Sequence, residues 1–265
     1  LVERHLIGQD HADAVWVRGV GFTPDESISV AVNEEDHLRI QVLEAGMNVP
    51  AALERVRKVD EALAEQVPFA FSAQYGYLTA CPTNVGTGMR ASVMVHLPAL
   101  AMGKEMDKIV QLCQDGELAL RGLYGEGSHA AADIYQLSNQ VTLGRRETEI
   151  VSQLLESVKK IIELERRCRD VFLRQDTDRL RQRVSAALGL LQTASRISSE
   201  ESLNLLSLVL LGSHLGLLEG IEGELVNELV LLTLPGHLQT IEYREDEQLK
   251  RDELRAAYLK KRLTN

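Results

Sequence analysis

Three short stretches of this sequence each bring an arginine to a place where the chain turns, and two of them bring a carboxylate as well. Asn33-Glu34-Glu35-Asp36-His37-Leu38-Arg39 offers Glu35 and Arg39. The stretch CPTNVGTGMRAS, residues 81 to 92, offers Cys81 and Arg90, and RGLYGEGS, residues 121 to 128, offers Arg121 and Glu126. Planar guanidinium forks suit phosphoryl oxygens and stabilise the charge on a phosphoryl group in flight, so Arg39, Arg90 and Arg121 could clamp a polyphosphate. Carboxylates pair bidentately with a guanidinium, so Glu35 and Glu126 could hold a cationic substrate oriented for in-line attack. Each acidic stretch alone also has a plainer reading: an acidic turn before a solvated strand face for the first, and a surface hairpin with an incidental glutamate for the other.

The glycines narrow the choice of anion site. Gly86 and Gly88 permit φ > 0 and close backbone approach, which anion-binding loops exploit. No Lys-Ser or Lys-Thr follows Gly88, so the P-loop pattern fails at the residue that would touch the phosphates. Gly86-x-Gly88-x-x-Ala91 imitates the dinucleotide fingerprint, which requires a strand–turn–helix unit around it. Cys81, Cys113 and Cys168 are widely spaced with no C-x-x-C, so neither a disulfide framework nor a zinc knuckle is indicated, and a reducing cytosol fits best. Cys113 and Cys168 read as small buried hydrophobes, and His96, His129 and His214 as structural or exposed.

The elements that must position these residues fall into two parts. SISVAV (27 to 32) and HLRIQVL (37 to 43) alternate as half-buried strands. In the second, Leu38, Ile40 and Val42 share one face, leaving His37, Arg39 and Gln41 on the other, with Glu35 on the same parity if the strand extends back. PAALERVRKVDEALAEQV (50 to 67) spaces Leu53, Val56, Leu63 and Val67 on a helical face behind Pro50. A glycine loop, a helix and two more strands, ELALRG and IYQLSNQVTLG, follow. That order lacks the alternation of a parallel βαβ sheet and predicts a largely antiparallel α+β domain, an antiparallel sheet flanked by helices, over residues 1 to 144. From 145 to 265 an all-helical domain is expected: Ile150, Leu154, Leu155, Val158, Ile161 and Ile162 mark a long amphipathic helix, and Ser198-Ser199-Glu200-Glu201 has capping-box spacing before another. A strand is expected from Leu1, and the absence of an initiating methionine reads as a fragment.

Composition sets further bounds. The 265 residues are 45% hydrophobic and 26% charged with net charge −10, which is ordinary for a globular protein and argues against direct nucleic-acid binding. The apolar run at 203 to 218 is interrupted by Gly212, Ser213 and His214, so a buried helix is expected there and no membrane span.

NEEDHLR, CPTNVGTGMRAS and RGLYGEGS, in this order and spacing, resemble the signature segments of the phosphagen (guanidino) kinase superfamily, and specifically of the bacterial protein arginine kinases. The resemblance spans nearly the whole chain, including the helical C-terminal region that creatine and free-arginine kinases lack. It implies a guanidino kinase catalytic domain that transfers the γ-phosphoryl group of Mg-ATP to protein arginines. In that light Glu35 and Glu126 hold and activate the substrate guanidinium, and Cys81 lies against it in an electrostatic role, its thiolate favoured by nearby cations. Arg39, Arg90 and Arg121 bind the ATP phosphates. His5, the backbone of Arg90, Ala91, Ser92, Val93 and Met94, and the run Gly122, Leu123, Tyr124, Gly125 and Glu126 complete the nucleotide site. No dedicated protein metal site is implied; Mg2+ comes with ATP.

Arg251-Asp252-Glu253-Leu254-Arg255 resembles the phosphoarginine-receptor segment of the same family, with Arg251, Asp252 and Arg255 as its ligands; on charge alone it also reads as a solvated helix. Arg251 and Arg255, four apart, would share a face and close on one phosphate. Protein substrates with exposed arginines, an activator protein, a Clp-type unfoldase, a homodimer and a cytoplasmic setting are further implications. The family's small N-terminal helical domain and Ser-x-Arg-x-Arg strand have no counterpart in the chain. A free guanidino-acid kinase and a non-catalytic phosphoarginine-binding module remain as alternatives.

Overall fold

The computed structural model describes residues 1–122, 131–241 and 248–264. The order of elements is α1 (Gln9–Asp13), β1 (Gly19–Phe22), β2 (Ile28–Val32), β3 (Leu38–Val42), α2 (Val49–Ala64), β4 (Phe71–Ser72), β5 (Gly76–Tyr77), β6 (Ser92–His96), α3 (Pro98–Met102), α4 (Met106–Asp115), β7 (Leu118–Gly122) and β8 (Ile134–Asn139). Helices α5 (Glu147–Gln175), α6 (Thr177–Thr193), α7 (Ser199–His214), α8 (Gly223–Leu232), α9 (Pro235–Ile241) and α10 (Gln248–Thr264) follow. This is an α+β arrangement continued by helices. Two compact units are distinguished by their internal contacts: residues 1–93, 110–120 and 136–160 form one, and 94–109, 121–135 and 161–265 the other.

In the first unit β1, β2 and β3 make an antiparallel meander, with Ala31 opposite Arg39 and Val32 opposite Leu38. The strands form where the alternation places them, but the faces differ from the hydrophobic pattern: on β2 it is Ser29 and Ala31 that are buried, while Val32 is exposed, as is Arg39 on β3. Helix α2 carries Pro50 in its first turn and buries Leu53. The expected strand at Leu1 is replaced by a turn, in which the amides of His5 and Leu6 donate to the carbonyls of Val2 and Leu1 at 2.8 and 3.0 Å. Its backbone is committed locally, with His5 in the left-handed region (φ 57°). Strand β6 follows the glycine loop directly, so the dinucleotide fingerprint lacks its helix. Strands β6, β8 and β7 form a second three-stranded sheet in that order.

The second unit is built on helices. Leu191 of α6, Leu206 and Val209 of α7, Val226 and Leu229 of α8, and Ala256 and Leu259 of α10 are packed into one core. The capping box forms as its spacing predicts, Ser198 Oγ accepting the Glu201 amide at 3.2 Å. Gly212, which interrupts the apolar run, has a packing reason: a Cβ there would strike the Val184 side chain, so the missing side chain lets α6 and α7 approach closely. No helix among the described residues is long and apolar enough to cross a membrane.

Candidate active site

Residues 33 to 37 form a tight turn between β2 and β3. Asn33 adopts φ 56°, its amide donates to the His37 carbonyl at 2.9 Å, and the Glu34 amide donates to the Asp36 carbonyl at 3.1 Å. Strand β3 therefore does not extend back to Glu35, which sits exposed within the turn instead of on the Arg39 face. Arg39 pairs with Glu34, Nη1 to Oε1 at 2.6 Å, while the other Glu34 oxygen accepts the Glu35 amide at 2.8 Å. Burial pushes the Glu34 carboxyl up, but the Glu35 amide and the Arg39 guanidinium outweigh it and hold it below the usual carboxylate range. The sequence reading singled out Glu35 and passed over Glu34, which orients both Arg39 and the backbone of Glu35.

Asp36 joins this turn to the thiol loop, its Oδ1 accepting the Ala80 amide at 2.6 Å. Cys81 follows Ala80 and caps a 3-10 turn at Pro82–Asn84, its carbonyl accepting the Asn84 amide at 3.0 Å. Its Sγ lies 3.0 Å from Thr83 Oγ1, and the thiol is half-buried. Tyr77 and Gly86 exchange backbone hydrogen bonds, and the Thr87 amide donates to the Thr142 carbonyl at 3.1 Å. A Cβ on Gly86, at φ 113°, would overlap the Thr142 carbonyl oxygen. Glycine is thus required there by the loop's own backbone packing.

Arg90 is exposed, and the chain on both sides of it is held by Asn139 at the end of β8. Asn139 Oδ1 accepts the Ala91 amide at 2.7 Å, and Nδ2 donates to the Met89 carbonyl at 3.1 Å. The Ala91 amide is therefore occupied within the fold. Along β6, Ser92 and Met94 are exposed while Val93 and Val95 are buried. Ser92 Oγ accepts from Gln136 Nε2 at 3.1 Å. Asn139 carried no recognisable signal in the sequence, because its partners lie about fifty residues away. His5 is tied to β3 through its carbonyl, which accepts from Gln41 Nε2 at 2.7 Å, and burial lowers its imidazole pKa. Glu35, Arg39, Cys81, Arg90 and His5 thus all belong to the first unit, and the turn of Glu35 is hydrogen-bonded to the loop of Cys81.

Arg121 and Gly122 close β7. Leu123, Tyr124, Gly125 and Glu126 lie outside the described residues. In α10, Arg255 is almost fully buried, donating from Nε to the Thr233 carbonyl at 2.8 Å and from Nη1 to the Ile197 carbonyl at 2.9 Å and Asp252 Oδ1 at 2.6 Å. Arg251 is half-buried. The two arginines therefore stand in different surroundings, and the expectation that both close on one phosphate is not met here: Arg255 is committed to the helical core, where these carbonyls need a donor. Among the described residues no cluster of three or more His, Cys, Asp or Glu side chains could hold a metal ion.

Residues 1–168 match the family model for the ATP:guanido phosphotransferase C-terminal catalytic domain, and residues 177–265 match that for the protein-arginine kinase McsB C-terminal domain. The chain belongs to the protein-arginine kinase family of guanidino phosphotransferases. It is 46% identical to the protein-arginine kinase of Halothermothrix orenii over 99% of its length and 75% of that protein's. With the Bacillus subtilis protein-arginine kinase it shares 41% identity over 99% of its length and 72% of the relative's. Among solved structures, the duplicated taurocyamine kinase of Schistosoma mansoni, with bound transition-state-analogue components, superposes with TM-score 0.55 at 36% identity over 59% of this chain and 22% of that one. A lombricine kinase superposes with TM-score 0.55 at 34% identity over 63% of this chain and 49% of that one.

Proposed function

We propose that this protein transfers the γ-phosphoryl group of ATP to arginine side chains of other proteins. The observation that carries the reading is the 2.6 Å bond from the Ala80 amide to Asp36, which holds the turn bearing Glu35 against the loop bearing Cys81. Glu35 and Glu126 orient the substrate guanidinium and accept its proton as a guanidino nitrogen attacks the γ-phosphorus. The P–N bond forms as the bond to the β,γ-bridging oxygen breaks, and ADP leaves with that electron pair. Arg39, Arg90 and Arg121 stabilise the charge on the phosphoryl oxygens in flight, with His5, the backbone from Arg90 to Met94 and the run from Gly122 to Glu126 around the nucleotide. Mg2+ enters with ATP and neutralises phosphate charge. Cys81 lines the guanidinium side.

We assign catalysis to residues 1–144 and phosphoarginine recognition to 145–265. In the latter, Asp252, oriented by Arg255, receives the guanidinium end of phosphoarginine and Arg251 the phosphate. The same family reading carries a homodimer, an activator protein, delivery of marked proteins to a Clp-type unfoldase and a cytoplasmic setting. The match of residues 177–265 to a protein-arginine kinase domain favours protein arginine over free guanidino acids as substrate. Incubation with ATP and either an arginine-rich unfolded protein or free arginine tests this. Acid-labile phosphate on the protein alone is expected, and phosphorylation of the free amino acid alone would overturn the reading.

A further inference from the structure

The turn Ala131–Asp133 follows directly on the run that carries Glu126, and its backbone is unusual. Ala132 and Asp133 both adopt left-handed φ, 58° and 51°. Such a backbone conformation is unfavourable for an L-residue and persists only where its surroundings enforce it. Here the enforcement comes from the helices. Ala132 is 1% exposed and packs with Leu203 of α7 and Leu234. Asp133 presents its carboxylate to the same helix: Ser207 Oγ donates to Asp133 Oδ2 at 2.8 Å.

Ser207, itself 1% exposed, also meets His96 Nε2 at 2.9 Å. A hydroxyl has one proton, and the carboxylate can only accept, so Ser207 gives that proton to Asp133 and accepts from His96. His96 is therefore the Nε2–H tautomer. It ends β6, two residues beyond Met94, and the next amide, Leu97, donates to the Asp133 carbonyl at 2.9 Å. The other side of this junction is equally occupied. Arg169 of α5 donates to the His96 carbonyl at 3.3 Å and pairs with Glu165 at 2.6 Å, and Glu165 in turn accepts the Ala99 and Leu100 amides at 3.1 and 2.9 Å. Two limbs that the proposed mechanism needs in register thus meet at one hydroxyl of α7: the end of β6, which follows Arg90, and the return from the run carrying Glu126.

We infer that Ser207 is a positioning residue for phosphoryl transfer, its single hydroxyl fixing His96 at the end of β6 and Asp133 after the Glu126 run in one relative register. The inference rests on the arginine-kinase reading, and makes α7 part of the catalytic framework. Ser207→Ala removes the bridge while keeping a good helix former in α7. Asp133→Asn keeps an acceptor for the Ser207 hydroxyl and tolerates the left-handed backbone.

The test measures arginine phosphorylation and hydrogen exchange together, well below the melting temperature. For Ser207→Ala the expected result is a roughly tenfold fall in kcat with the KM for ATP changed by less than about twofold, an effect on the order of 1.4 kcal/mol. Peptides covering 92–100 and 131–137 exchange faster while α7 keeps its protection. Asp133→Asn stays close to the parent in both readouts. Unchanged kcat and unchanged exchange in Ser207→Ala would overturn the inference, as would an Asp133→Asn variant as damaged as Ser207→Ala. If the parent protein makes no phosphoarginine, the arginine-kinase reading fails, and the exchange comparison still decides whether Ser207 fixes these two limbs.

Discussion

Asp36 Oδ1 accepts the Ala80 amide at 2.6 Å, a hydrogen bond between residues 44 apart that sets the acidic turn beside the cysteine loop. Neither residue is proposed to touch the substrate, yet between them they fix the distance from Glu35 to Cys81. Asp36→Ala removes the acceptor and leaves the Ala80 amide to solvent, at a stability cost of about 1 kcal/mol. The expected kinetic result is a raised KM for the arginine substrate with ATP affinity within about twofold, and Asp36→Asn, which keeps a carbonyl acceptor, recovers most of it. Steady-state kinetics with each substrate varied in turn checks this.

Asn139 makes the corresponding prediction for the nucleotide side. Asn139→Ala strips partners from the Ala91 amide and the Met89 carbonyl, costing about 1–3 kcal/mol of stability and loosening the chain on either side of Arg90. ATP affinity is expected to fall by roughly tenfold or more, which equals about 1.4 kcal/mol. Calorimetric titration with the nucleotide reads it, and unchanged affinity would remove Arg90 from the phosphate site.

How much of this was legible in the sequence depended on how local the cause was. Strands over SISVAV and HLRIQVL, Pro50 at a helix start and Ser198 with Glu201 at another are short-range patterns, and each element appears where it was expected, although β2 buries Ser29 and Ala31 and leaves Val32 exposed. Strands β4 and β5, two residues each, are too short to show a period. Glu35 would share the parity of Arg39 only if β3 ran back to it, and the turn at 33 to 37, with Asn33 at a left-handed φ, ends the strand first. Asp36, Asn139 and Ser207 were invisible for one reason: each acts on partners 44 or more residues away. Arg255 misled in the opposite way, since a charged tail hides that one of its arginines is buried against Thr233 and Ile197.

The three cysteines should separate cleanly by reactivity. Burial pushes the Cys113 thiol up to about 11, and burial together with Glu165 and Glu105 raises that of Cys168, so both are poor thiolates at neutral pH. Cys81 is half-buried in the loop hydrogen-bonded to the Glu35 turn. Alkylation followed by peptide mapping is expected to find Cys81 modified first and protected by bound arginine substrate. Cys81 as the slowest of the three would return it to a packing role.

A pH dependence follows from His96. Burial, with Arg169 and then His214 adding to it, lowers its pKa to about 3, against 6.5 for the free imidazole. The folded protein therefore declines a proton that the unfolded chain binds, so stability is intact above about pH 6.5 and falls as pH drops toward 3. The slope of this one contribution approaches about 1.4 kcal/mol per pH unit within that window. Denaturant midpoints between pH 7 and 5 should fall less steeply for His96→Gln than for the parent; identical slopes would mean that His96 is protonated in the fold.

In the tail, two substitutions three residues apart should behave differently. Arg255→Ala leaves Asp252 and two buried carbonyls without their donor and should cost about 3–5 kcal/mol, seen as a lower Tm. Asp252→Ala is expected to abolish phosphoarginine binding at Arg251 and Asp252 without weakening ATP binding. Retained phosphoarginine affinity in a folded Asp252→Ala protein would leave α10 a structural helix.

The central claim is that Glu35 acts on the guanidinium and not on the nucleotide, and one comparison reaches it most directly. Glu35→Gln is isosteric, keeps the turn's backbone hydrogen bonds and removes only the carboxylate's charge and basicity. Phosphorylation of a protein arginine and equilibrium binding of Mg-ATP are measured on the same folded sample. Loss of phosphoarginine formation by at least about a hundredfold, the scale of a lost general base, with ATP affinity unchanged, is the predicted result. Full activity, or an equal loss of ATP binding, would contradict it.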